Sequence, residues 1–142
     1  MNKRNIGASY EGVARDFLTD KGYEILCMNY RCKYGEIDII ARDNDGYVVF
    51  VEVKYRKDEK LGFPEEAVHI QKQRKICDVE RRYLYLKRCS VTQPVRFDVV
   101  AICGEQIKWY QNAFPYMIML YMFLKDINLC KNCKHIRRLS SP

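Results

Sequence analysis

No run of this 142-residue chain is apolar enough to cross a bilayer. The longest, Pro115–Leu124, spans 10 residues, against the ~20 that a spanning helix requires. No basic-then-apolar leader precedes a small-residue cleavage site, so no secretory signal is expected. Internal repeats are also lacking. The cysteines do not form an even set: there are seven, at 27, 32, 77, 89, 103, 130 and 133. An odd, scattered set without an export signal argues against a disulfide framework and for free thiols in a reducing compartment. These absences lead to the expectation of a soluble, cytoplasmic protein without membrane association. The composition itself, 48% hydrophobic and 30% charged, excludes a disordered chain and suits one domain with a real core.

The formal net charge is +7. It is unevenly spread. Residues 1–114 carry 20 Lys+Arg and 17 Asp+Glu, a net of +3; the 28 residues from 115 carry five basic residues and one acid, a net of +4. The main body is modestly basic, which suggests a polyanionic partner.

Hydrophobic periodicity predicts a helix over Asn5–Lys21, with Ile6, Tyr10, Val13 and Phe17 as its apolar stripe and Gly22 as its stop. Strands are expected over Tyr23–Tyr30, Glu36–Arg42 and Tyr47–Arg56. Asn44-Asp45-Gly46 forms the turn of a hairpin between the last two. Pro64, followed by Glu65 and Glu66, suits a helix start, and that helix should run to about Leu86. Strands Val95–Cys103 and Ile107–Tyr110 follow. The order helix-strand-strand-strand-helix-strand-strand predicts an α/β domain with a mixed sheet and one helix on each face. Residues 1–114 make up this domain. Residues 115–142 read as a C-terminal extension of unassigned role.

Tyr47–Arg56 begins apolar on both faces, as a central strand does. Its second face, Val48 and Phe50, then continues into Glu52, Lys54 and Arg56. A carboxylate and an ammonium placed there cost several kcal/mol unless partnered. Asp38 interrupts Ile37, Ile39 and Ile40 on the preceding strand in the same way. Paired strands would bring Asp38 and Glu52 to one hard divalent cation, Mg²⁺ or Mn²⁺. Such a cation can bind a phosphate oxygen and acidify an attacking water, while Lys54 offsets charge growing on phosphorus. Glu11, on the flank of the first helix's stripe, can supply a fourth charge. Gln73 falls inside the apolar arc of the second helix, where its amide needs a partner, in the site or in the core. Lys72, Arg74 and Lys75 surround it and can meet phosphates, or simply form a solvated face.

Gly35-Glu36-Ile37-Asp38 followed by Phe50-Val51-Glu52-Val53-Lys54 resembles the Asp…Glu-x-Lys signature of restriction-endonuclease-like nucleases. More closely, the chain resembles the YraN-like endonuclease family, itself similar to archaeal Holliday junction resolvases. Asn29–Cys32, Val49–Tyr55, Lys72-Gln73-Arg74 and Arg96–Ala101 carry the resemblance, which ends near Ala113-Phe114. It implies a restriction-endonuclease-like fold and a metal-dependent DNA endonuclease, with branched DNA as a substrate. It also implies that Asp38, Glu52 and the Val53 carbonyl are metal ligands, Lys54 the catalytic lysine and Glu11 a supporting acid. The extension departs from the family pattern.

Competing expectations stand beside these. A non-catalytic nucleic-acid-binding module could keep the same fold. Asp98, between Phe97 and Val99, reads as structural, bonded to Arg96 or part of a turn. Cys130-x-x-Cys133-x-His135 is half of a zinc motif without a second pair. The apolar stretch Pro115–Leu124 is expected to cover a patch of this chain or of a second copy in a homodimer.

Overall fold

The computed structural model describes residues 3–55 and 68–115, with side chains from Tyr10 onward. The elements are α1 (Lys3–Asp20), β1 (Glu24–Cys32), β2 (Gly35–Arg42), β3 (Val48–Tyr55), α2 (Ile70–Leu86), β4 (Val95–Cys103) and β5 (Gln106–Tyr110). This is the expected order. The five strands form one mixed sheet in the spatial order β1-β2-β3-β4-β5. Only β3 and β4 run parallel, with Val48 beside Val95 and Tyr55 beside Ile102. A parallel pair needs a crossover rather than a tight turn, and α2 lies in that connection.

β3 is central because its valines bury both faces. Val49 and Val51 pack with Ile39, Ala41, Val100 and Ile102 against Ala14 and Leu18 of α1. Val48 and Phe50 pack with Ile40, Phe97 and Val99 against Ile76, Val79 and Tyr83 of α2. One helix therefore covers each face. The ring of Phe50 meets Tyr83 edge-on at 5.9 Å, and Phe97 stacks on Phe114 at 4.9 Å.

The buried face of α1 is rotated from the expected stripe. Val13 is 41% exposed, whereas Ala14 and Leu18 are fully buried. Glu11 is three and seven residues before these two, so it shares their face rather than flanking it. The helix stops where Gly22 adopts φ +86°. Gly22 N–H donates to Thr19 O at 2.9 Å and Tyr23 N–H to Leu18 O at 3.0 Å, the paired closing bonds of a glycine-terminated helix. The start of α2 also differs. It begins at Ile70, and His69 is the N-cap, its Nδ1 accepting from Gln71 N–H at 3.3 Å. Pro64 lies outside the described residues.

Among the described residues no helix is long and apolar enough to cross a membrane. Among the described residues, Cys27, Cys32, Cys89 and Cys103 are free thiols.

Candidate functional site

The hairpin β2–β3 places the acids. Its register runs from Arg42 beside Val48 to Ile39 beside Val51, and one further step brings Asp38 to Glu52. The ladder stops there. Ile37 and Ile40 belong to the α2-side core, Ile39 and Ala41 to the α1-side core. The two-residue alternation is thus broken at Asp38. Across β1 the pairs Met28–Ile39 and Tyr30–Ile37 straddle Asn29. Asn29 itself is left-handed at φ +52°, a conformation asparagine tolerates better than most residues. Asp38 Oδ2 then accepts the Val53 N–H at 2.7 Å. A side-chain carboxylate occupies the place of a ladder carbonyl, which binds it to the backbone next to Glu52.

Glu52 is only 4% exposed. Its Oε1 accepts from Lys54 Nζ at 2.8 Å, and Lys72 Nζ lies 3.2 Å from its Oε2. Lys72 also reaches the Glu36 carbonyl at 3.5 Å. Lys72 is close enough to Oε2 to balance its charge, yet Oε2 is buried without a hydrogen bond. Distance and alignment disagree there, and alignment decides: the charge is compensated while a lone pair stays open. Unpaired buried carboxylate oxygens are rare enough to need a reason.

Asp38 shows the same tension. Burial first, and then the Glu52 charge, push its carboxyl from 3.8 up to about 6; the Val53 N–H and Lys72 act the other way, and Glu11 adds to the rise. Two carboxylates held this close disfavour joint ionisation until a cation arrives. The donor set suits a hard cation such as Mg²⁺ or Mn²⁺, which takes one or two carboxylates and completes its shell with water and substrate oxygens. Among the described residues no three His, Cys, Asp or Glu side chains converge. Any metal here would therefore lean on Asp38, Glu52 and main-chain oxygen, the Val53 carbonyl being adjacent.

The structure brings together Asp38, Glu52, Lys54 and the Val53 backbone. Glu11 is half-buried and within electrostatic reach of Asp38. Lys72 moves from an expected phosphate contact to a partner of Glu52. Its signal was present but ambiguous: a lysine in the first turn of a helix that packs on β2 is ordinary until the sheet places Glu52 beneath it. Gln73 needs correction as a DNA contact. It is buried, and its Nε2 donates to the Val68 carbonyl at 2.8 Å, so its partner is backbone in the core. Arg74 and Lys75 are exposed on α2. Arg56, Cys130, Cys133 and His135 lie outside the described residues. On the α1 side of the sheet, Tyr10 stacks on Tyr55, the residue after Lys54, with centroids 4.2 Å apart.

A second buried ionic cluster also escaped full prediction. Arg96 donates to Asp98 at 2.9 and 3.1 Å, to Asp43 at 3.0 Å and to the Tyr23 hydroxyl at 2.6 Å. Trp109 Nε1 and Asn112 N–H complete Asp98 at 3.0 and 2.9 Å. The structural role expected for Asp98 matches this arrangement.

Comparison with known proteins adds a family. The profile of the Uncharacterised protein family UPF0102 matches residues 10–102. A UPF0102 protein of Lachnoclostridium phytofermentans is 52% identical over 114 residues, covering 80% of this chain and 96% of the relative. One from Caldicellulosiruptor saccharolyticus is 41% identical over 132 residues, 93% of this chain and 98% of the relative, an alignment that runs past Phe114. Among solved structures, the crystal structure of SSO0001 aligns with a TM-score of 0.42 at 16% identity, over 91% of this chain and 60% of that one, a value too low to argue from. The profile match across most of the folded body, together with relatives matched over nearly their whole length, shows that this chain belongs to the UPF0102 family.

Proposed function

We propose that the chain is a divalent-metal-dependent DNA endonuclease built on a restriction-endonuclease-like sheet. The observation that carries this reading is the open Oε2 of Glu52, buried beside an Asp38 carboxyl that sits in place of a ladder carbonyl. Lys72 Nζ, 3.2 Å away, balances the charge of that oxygen without a hydrogen bond to it, and a buried carboxylate oxygen lacking one is uncommon.

Mg²⁺ or Mn²⁺, when bound, supplies charge for a phosphate oxygen and acidity for the attacking water. Asp38 and Glu52 would hold it. The chain's own residues do the rest. Lys54, 2.8 Å from Glu52 Oε1, can swing its ammonium to a phosphate oxygen once a cation takes over Glu52, and there offsets charge developing on phosphorus. Lys72 keeps Glu52 oriented from the α2 side. Asp38 must be ionised to bind a cation, so a cation competes with its proton, and binding strengthens as pH rises through about 6. Free thiols among the described cysteines suit a reducing compartment, and we place the enzyme in the cytoplasm, with duplex or branched DNA as its partner.

The test is incubation with a panel of labelled linear, branched and single-stranded DNAs with Mn²⁺, wild type beside Asp38→Asn and Lys54→Ala. Metal-dependent products from wild type alone support the reading; equal products from all three proteins remove it.

One observation favours a second reading, a binding module that does not cut. Lys54 and Lys72 together balance Glu52 without any metal. That reading predicts steeply salt-dependent DNA binding and no products with any divalent ion.

A further inference from the structure

Away from the acids, a cleft of about 410 Å³ is lined by Tyr34, Asp78, Arg81, Arg82 and Tyr85. Positions 78, 81, 82 and 85 form one stripe of α2, spaced i, i+3, i+4, i+7. Tyr34 comes from the turn between β1 and β2. The two tyrosines are unusually open: Tyr85 is 75% exposed and Tyr34 43%. Each carries a cation over its ring, Lys33 at 4.9 Å from the Tyr34 centroid and Arg82 at 5.9 Å from that of Tyr85. The single carboxylate in the cleft, Asp78, is bonded to Arg81. The balance left over is cationic.

We infer that this cleft takes an unpaired nucleobase, stacked on the face of Tyr34 or Tyr85 opposite the cation that each ring carries, with Arg82 and Lys33 beside the flanking phosphates. Three features select that occupant. Open aromatic faces accept any base by stacking, with no need for edge recognition. The neighbouring cations match a phosphate backbone in sign. The cleft, about 410 Å³, is open to solvent rather than enclosed, so a base can lie on it from outside. A base inside a duplex stack has both faces covered and cannot stack on an exposed tyrosine ring, so the occupant is single-stranded. The cleft lies farther along the same helix: Arg81 and Tyr85 are 9 and 13 residues beyond Lys72 on α2, roughly 14 and 20 Å along the axis at ~1.5 Å per residue. Their stripe lies about 130° around it, so a strand reaching both sites would cross the helix. A strand bound at Glu52 could continue across α2 into it. The inference rests on the nuclease reading and sharpens its substrate, to DNA with a single-stranded segment beside the cut.

The experiment is anisotropy of a fluorescein-labelled oligothymidine and of a blunt duplex in EDTA, so that cleavage plays no part. Wild type is expected to bind oligothymidine more tightly than duplex. At least one of Tyr85→Ala and Tyr34→Ala should weaken oligothymidine about tenfold, with Tyr85→Phe like wild type and duplex binding unchanged. Both tyrosines are exposed, so a retained melting temperature should confirm that the alanine variants fold. Oligothymidine binding equal to wild type in both alanine variants, or a wild-type preference for duplex, overturns the inference. Normal binding in this assay with no Mn²⁺-dependent products would sink the nuclease reading and leave the cleft. Products together with unaffected tyrosine variants would sink the cleft and leave the nuclease.

Discussion

Two buried ionic clusters share the central strands of this sheet and differ in one respect. On the α1 side, the Asp98 oxygens are filled by Arg96, Trp109 and Asn112, and the Asp43 oxygens by Asp45, Tyr47 and Arg96. Burial alone would lower the Arg96 guanidinium, but its bonds to Asp98 and Tyr23 outweigh burial and hold it above its ordinary value. Around Glu52 the charges balance but the bonds do not: Oε2 is open and Asp38 resists ionisation. A saturated cluster has nothing left to bind. An unsaturated one stores unmet demand for a cation, and that difference, rather than charge or burial, separates scaffold from candidate site.

The contrast can be broken most decisively at Glu52. Glu52→Gln should lower DNA cleavage by at least about 10³-fold, since it removes a metal ligand and the partner that positions Lys54. It should shift the melting temperature little, because Lys54 and Lys72 are partly exposed and can turn to water. Cleavage assays and thermal melts of one preparation check both halves.

Asp98→Ala should do the reverse. It leaves Arg96 to Asp43 and Tyr23 alone and deprives Trp109 Nε1 and the Asn112 N–H of their acceptor, and breaking a buried pair costs about 3–5 kcal/mol. Chemical denaturation should show that loss, with metal-dependent stabilisation retained if the protein folds.

Asp38 sharpens the comparison through pH. Its folded pKa of about 6 lies above the ordinary 3.8. The folded state therefore binds more protons between those values, and stability falls as pH rises from about 4 to about 6. Two units correspond to roughly 3 kcal/mol as an upper figure. Asp38→Asn should flatten that fall, matching wild type near pH 4 and exceeding it at pH 7.5 without metal. Mn²⁺ at 100 times its Kd should return about 2.7 kcal/mol to wild type at pH 7.5, and nothing to the variant. Melts across pH with and without Mn²⁺ decide this. The smallest effect is expected at Gln73. Gln73→Leu should cost about 1 kcal/mol, the loss of one buried hydrogen bond, and leave DNA affinity unchanged.

The legible parts of the fold were those governed by local periodicity. Val48–Tyr55, apolar on both faces before Glu52 and Lys54, announced a central strand and the face on which its charges stand. Asn44–Gly46 announced the hairpin that aligns Asp38 with Glu52. The rotation of α1 was less legible, because Val13, Ala14, Phe17 and Leu18 are all apolar and spacing alone cannot say which pair meets the sheet. Tertiary packing chose the smaller Ala14 beside Leu18, and so turned Glu11 inward. The start of α2 was misplaced because a proline followed by acids is only a local preference, whereas His69 caps the segment that packs on Phe50 and Phe97. Arg96 and Asp98 were readable as neighbours two apart; Asp43 and Tyr23, 53 and 73 residues from Arg96, were not.

What the amino-acid order settled alone was the element types, the parity of β3 and the presence of acids and a lysine where apolar residues belong. Those follow from backbone geometry, which repeats every two or 3.6 residues and needs no partner to be read. Only the folded chain could decide that Lys72 meets Glu52, that Gln73 turns to the Val68 carbonyl and that one carboxylate cluster is saturated while the other is not. Hydrogen-bond completion depends on which distant groups arrive within about 3 Å and at what angle, and no local pattern carries that information.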